Sequence, residues 1–259
     1  MKSSIMQLTK PFTINPVVGL LAGSLWIAGS ALTALGADVF VVDTSRSQVS
    51  ISGSVAGSPI REQGPGSLTT HYGGTLLAEV SSDTIQFPGQ SQVVAVNSGS
   101  WQPLADGSDG SEPANYGGTA TAFLTTGVAA VREARVDVTS GALAISDGRF
   151  DTQGLTFTIP SGASTSLSYR LRGANNSSGV YALAGESATG QEGQANLTTV
   201  GDEQVLTIPI HYTFYYSLVA QNDTTVTLRG QLVATRSLAA PIPTWLVTPQ
   251  GQDGPNQNR

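Results

Sequence analysis

The residues best suited to chemistry are two histidines and one acidic loop. His71 and His211 each precede a tyrosine in a run of alternating residues. A metal site needs three or four converging ligands, and no third ligand lies near either histidine in sequence. Both are expected to be exposed or hydrogen-bonded. The loop 105–118 (ADGSDGSEPANYGG) offers oxygen ligands at Asp106, Ser108, Asp109 and Glu112. Calcium takes about six to eight oxygens and often finds them in Gly-rich acidic loops, so Asp106, Asp109 and Glu112 are the candidate metal ligands. Their spacing departs from the EF-hand order, and a solvated surface loop is the expected state. Asp137, Asp147, Asp151, Glu186 and Glu192 follow no pattern that pairs two carboxylates across a glycosidic bond. Gly162-Ala163-Ser164-Thr165-Ser166 lacks the closing glycine of a nucleophile elbow. No catalytic residue, no cofactor and no enzymatic activity are expected.

Composition narrows the classes further. The 259 residues contain no cysteine, and the lysines and methionines all fall in the first ten positions. Met1–Asn15 is basic, 17–35 carries no charge, and Ala34-Leu35-Gly36-Ala37 supplies small residues before Asp38. Basic start, apolar middle and small-residue exit form a secretory signal, with cleavage expected after Gly36 or Ala37. The alternative is an uncleaved anchor, which the many Gly, Ser, Thr and Ala residues would insert weakly. The mature chain would have no thiol, no disulfide and no Lys nucleophile, with ten arginines against eighteen acids. Such a balance argues against nucleic acid as a partner. No later segment is long and apolar enough to span a membrane.

The elements that must position any site read as strands. Val49, Ile51, Gly53 and Val55 alternate with polar neighbours, as do Leu68, Thr70, Tyr72, Gly74, Leu76, Ala78 and Val80. Leu155, Phe157 and Ile159 form another face, and Leu167, Tyr169 and Leu171 another. The longest run is 205–219, where Leu206, Ile208, Ile210, Tyr212, Phe214, Tyr216 and Leu218 make one apolar row. At about 3.3 Å per residue it would span roughly 50 Å. Pro209 removes one ladder donor and so marks a bulge or an edge. Asn222-Asp223 turns the chain into 224–236. Asn175, Asn196 and Asn222 match the glycosylation pattern and are read as turn residues. The pairs His71-Tyr72 and His211-Tyr212 each lie twelve residues before an Asp-Thr step, an echo read as coincidence.

Three stretches, GSLTTHYGGTLLAEVSSDTIQF (66–87), SGSWQPL (98–104) and QVLTIPIHYTFYYSLVAQNDTTVTLRGQLVATR (204–236), resemble a group of uncharacterised exported bacterial all-β proteins. Members of that group often bear PEP-CTERM sorting tails. The segment 239–259 has no Pro-Glu-Pro signal, apolar span or closing arginine cluster. The opening FVVDTSRSQVSISG (40–53) is more weakly similar to the YceI-like polyisoprenoid-binding barrels. The resemblance implies location and architecture, and it carries over no ligand residue.

The expected organisation is a signal peptide over 1–37, one antiparallel β domain over 38–238, and a flexible Pro-, Gln- and Asn-rich tail over 239–259. The expected fold class is all-β, a single antiparallel domain with long strands. A lipocalin-like barrel is favoured by a small margin over a sandwich, since both use the same alternation. The expected function is that of a secreted, non-catalytic β-protein of the cell surface or extracellular matrix, with a surface polymer or an apolar small ligand as partner. The alternative is a lipid or isoprenoid carrier whose lumen Tyr212, Phe214 and Tyr216 line. A secreted hydrolase is a third reading. Oligomeric state is left open.

Overall fold

The computed structural model describes residues 36–174, 176–191, 193–216 and 224–238, with the backbone alone of Tyr216. The signal reading over 1–35, the tail at 239–259, the turn at Asn222-Asp223, Leu218, Asn175 and Glu192 lie outside the described residues.

Among the described residues every regular element is a strand and every pairing is antiparallel. The chain traces an up-and-down meander whose staves are often two short strands in line. β1 (Asp38–Val42) and β2 (Gln48–Val55) form the first stave, interrupted by a turn at Asp43. β3 (Ser58–Pro59) and β4 (Arg61–Glu62) follow before β5 (Thr69–Val80), the second stave. β6 (Thr84–Gln86) and β7 (Gln92–Ala95) make the third. An insertion carries β8 (Gly99–Trp101), β9 (Glu112–Ala114), β10 (Tyr116–Ala122) and β11 (Thr125–Arg132).

β12 (Arg135–Thr139) with β13 (Leu143–Ala144), and β14 (Arg149–Asp151) with β15 (Thr156–Thr158), are the fourth and fifth staves. β16 (Ser166–Gly173) and β17 (Ser177–Ala182) form another insertion. β18 (Ser187–Thr189) with β19 (Gln194–Val200), then β20 (Glu203–Tyr216), then β21 (Thr224–Ser237) complete the set. The last stave, β21, pairs with both β1 and β2, so the sheet closes on itself as an eight-stave barrel.

Closure at eight staves leaves an interior that side chains can fill. Phe40, Leu76, Ile85, Phe87, Leu155 and Leu206 are fully buried there, drawn from five different staves. Alternation explains the selection: in β5, Tyr72, Leu76 and Ala78 are buried while His71 and Glu79 face solvent. Burying such rows is the main favourable term in forming the sheet. Gly74, with φ +104°, lies where a Cβ would come within 1.9 Å of the Gln92 carbonyl oxygen, so only glycine allows β5 and β7 to meet there.

The two ends of the barrel differ. At one end the staves are joined by tight hairpins, such as Asp147-Gly148 and Gly201-Asp202. At the other, the three insertions leave the barrel and assemble a second sheet, β17-β16-β11-β10-β4, beside the small β8-β9 hairpin. The loop expected over 105–118 is therefore shorter than the composition suggested. Glu112–Ala114 forms β9, and Tyr116 begins β10, because Asn115 and Tyr116 are buried. Asn196 is likewise a strand residue, paired with Arg149 and Thr207, and not a turn. Among the described residues no helix is long and apolar enough to cross a membrane.

Candidate functional site

The aromatic row on β20 faces the barrel interior at the end that carries the insertions. Tyr212 is buried, and its ring meets Phe157 of β15 edge-on at 5.7 Å and stacks on Phe214 at 6.3 Å. Phe157 and Tyr212 sit on staves with β18 between them, and Ala188, opposite Phe157, is small enough for the rings to meet over it. The Tyr212 hydroxyl is buried and has no hydrogen-bond partner among the described residues. Burial pushes its pKa well above the usual phenol range. Phe214 is half-buried, and the side chain of Tyr216 lies outside the described residues.

The wall beside this cluster is held by a side chain. The β19–β20 ladder runs from Val200↔Glu203 to Asn196↔Thr207. Beyond it the buried Gln191 amide takes the place of a strand: its Oε1 accepts from His211 N–H at 2.7 Å, and its Nε2 donates to the Pro209 carbonyl. Pro209, which has no N–H, falls where the neighbouring backbone ladder stops. β18 pairs with β15, and among the described residues no strand pairs with β20 on that side above Gln191.

The second sheet is locked to the barrel by polar groups that are individually engaged. Tyr116 reaches into the barrel core, where its hydroxyl lies 3.1 Å from that of Tyr72. The buried Asn115 ties the two ends of the long insertion, donating to the Ala95 carbonyl at 3.0 Å and accepting from Ala134 N–H at 2.8 Å. On the opposite face Arg132 is buried, with Nε 3.0 Å from Glu112 and further bonds to Ser168 and to the Trp101 and Pro103 carbonyls.

The three loop carboxylates do not converge. Asp106 accepts from Ser108 N–H at 2.8 Å, and the Ser108 hydroxyl together with that N–H holds its pKa below the usual carboxylate range. Asp109 bridges Arg170 and Arg172, and Glu112 binds Arg132 and the Ala105 N–H. Among the described residues no group of three or more His, Asp or Glu is placed to hold a metal ion. His71 and His211 stand on the outer surface of the barrel, His71 Nδ1 2.9 Å from the Thr44 carbonyl and His211 Nε2 3.3 Å from Arg229. Asp137 accepts from the Gln90 and Ser91 N–H groups, and Asp151 from Gln153 N–H, which are loop-shaping roles.

Sequence reading missed Gln191, Asn115 and Arg132. Each is a polar residue whose partners lie far along the chain or in backbone that no spacing rule reaches. Two shallow recesses lie on the exterior of the described residues. One of about 280 Å³ is lined by Ser58, Pro59, Arg61 and 119–121, and the other of about 350 Å³ by 144, Ser146, Asp147, 149–151 and Gln194. Comparison of the chain with family models, with curated proteins and with solved structures returned no match.

Proposed function

We propose that this is an exported, non-catalytic β-protein of the cell surface or extracellular matrix, which acts by binding or structure through the sheet-bearing end of its barrel. The observation that carries the reading is the asymmetry of a filled barrel. The interior is packed with side chains, one end is closed by tight hairpins, and the three insertions build their own sheet at the other. Elaborated loops on a rigid scaffold are where binding surfaces usually reside. The loop carboxylates Asp109 and Glu112 are engaged with arginine and His71 with a backbone carbonyl, and among the described residues no three His, Asp or Glu gather at one point, which supports a non-catalytic role.

The test is native mass spectrometry of the exported protein, purified without detergent and measured before and after organic extraction. A bare mass, cut after Gly36 or Ala37, is the expected result. A stoichiometric apolar adduct lost on extraction overturns it in favour of a carrier. That second reading is supported by the unpartnered Tyr212 hydroxyl among Phe157 and Phe214, with Tyr216 as the further lining residue expected from the row.

A further inference from the structure

The β10–β11 hairpin closes with Ala122 opposite Thr125, so Phe123 and Leu124 alone form its turn. Both have positive φ, 48° and 62°. A two-residue turn of this hand suits Asn-Gly or Asp-Gly, and bulky side chains are disfavoured in it. The other described two-residue hairpin turns with positive φ at both positions each contain a glycine: Ala56-Gly57 and Asp147-Gly148. Phe123-Leu124 contains none, and it is the most exposed apolar pair of the described surface, at 72% and 88%. Strain and exposed apolar area both act against this choice of residues, so a role outside folding is the economical explanation.

Position adds to the case. Tyr116 and Val131, at the base of the hairpin, pack against the barrel core, whereas Ala122 and Thr125 are its far end. Six residues of strand at about 3.3 Å each carry the tip roughly 20 Å beyond that anchor. From Tyr116 to Arg132 the hairpin has no acidic residue, although the whole chain carries a net charge of −6. Arg172, on the neighbouring strand opposite Thr126, lies next to the tip with its charge paired to Asp109. The two recesses named above mix apolar residues, Pro59 and Ala120 in one and Ala144 and Phe150 in the other, with polar ones, and each sets an arginine, Arg61 or Arg149, in the lining that a second copy's Phe and Leu would meet. A bilayer needs no preformed socket. It accepts apolar side chains at the level of its headgroups, and an acid-free stem avoids repulsion there.

We propose that Phe123 and Leu124 form a membrane-docking tip that inserts into the lipid headgroup region and holds the sheet-bearing end of the protein against a bilayer. The inference rests on the envelope location in the reading above and assigns that end its partner.

The experiment is flotation of the exported protein with vesicles of phosphatidylcholine and phosphatidylglycerol, 7:3, at moderate salt. The variant is the double substitution Phe123→Asn with Leu124→Gly, which installs the residues the turn prefers. The expected result is that the bound fraction falls at least about ten-fold, while Tm rises by about 3 °C because the strain is relieved. Val200→Thr, which changes an exposed valine at the hairpin end of the barrel, leaves flotation unchanged. Absence of wild-type flotation, or equal flotation of the double variant, overturns the proposal. Either outcome with a bare native mass leaves the non-catalytic surface reading standing, and an apolar adduct removes that reading whatever the vesicles show.

Discussion

The hydroxyl of Tyr72 on the barrel wall lies 3.1 Å from the hydroxyl of Tyr116 on the inserted sheet, and Tyr116 also donates to the Val49 carbonyl at 3.3 Å. Both phenols are buried, so this hydrogen bond is a seam between the two sheets in a region of low dielectric. Burial raises the pKa of each, and Tyr116 is raised further by Tyr72.

Alkaline stability follows from that seam. Tyr72, Tyr116 and Tyr212 hold their protons in the folded state above the pH of about 10 at which unfolded tyrosines lose theirs. Their contribution is fully present below pH 10 and is lost as pH rises beyond it, because the unfolded state then binds fewer protons. Each such tyrosine steepens the fall by about 1.4 kcal/mol per pH unit. Urea unfolding between pH 8 and 11.5 should show a decline that becomes shallower in Tyr72→Phe. An unchanged slope would mean that the phenol ionises equally in both states.

The acid end depends on the turn between β1 and β2. Asp43 accepts from the backbone N–H groups of Ser45 and Arg46, from the Ser45 hydroxyl and from the Arg46 guanidinium, and its pKa falls to about 2. A depressed carboxylate stabilises above its unfolded pKa and loses that effect as pH falls from about 4 towards 2. Asp43→Asn should lower Tm at pH 6 and differ little from wild type at pH 2. Equal destabilisation at both pH values would assign the loss to packing and not to charge.

Gly74 is expected to tolerate no side chain. Alanine there meets the Gln92 carbonyl and must hold φ +104°, so β5 and β7 separate or the barrel fails to close. Gly74→Ala should cost about 3 kcal/mol or more in urea unfolding, whereas Gly141→Ala, at a position with open space, should cost little. Similar losses at both sites would contradict the close approach.

Arg132 holds the β8–β9 arm to the second sheet through Glu112, Ser168 and two carbonyls. Removing the guanidinium leaves the buried Ser168 hydroxyl and the Pro103 carbonyl without their donor, at a cost of about 1–3 kcal/mol. Arg132→Met should raise amide exchange across 99–114 and leave β20 and β21 protected. Uniform deprotection of both regions would show that the arm and the barrel unfold as one unit.

The sequence determined that the protein is all-β, and it located the strands that became β2, β5, β16, β20 and β21. Their alternation of apolar and polar residues is a local property of the chain and needs no partner to be read. It also marked Pro209 as a place where a ladder partner would be missing, since proline lacks the donor wherever it sits. Tertiary structure alone decided the rest. Closure depends on β21 meeting β1 and β2, residues 194 positions apart at Val41↔Thr235, and alternation serves a sandwich equally well. The carboxylates Asp106, Asp109 and Glu112 are close in sequence yet are drawn to Ser108, to Arg170 and Arg172, and to Arg132 by three different contacts. Gln191 replaces a strand only because β18 turns away from β20. Phe123-Leu124 carries no Gly, Asn or Asp to signal a turn, and only the register of β10 and β11 places both residues in one of left-handed φ, where side chains of that size are held in solvent by backbone pairing on either side.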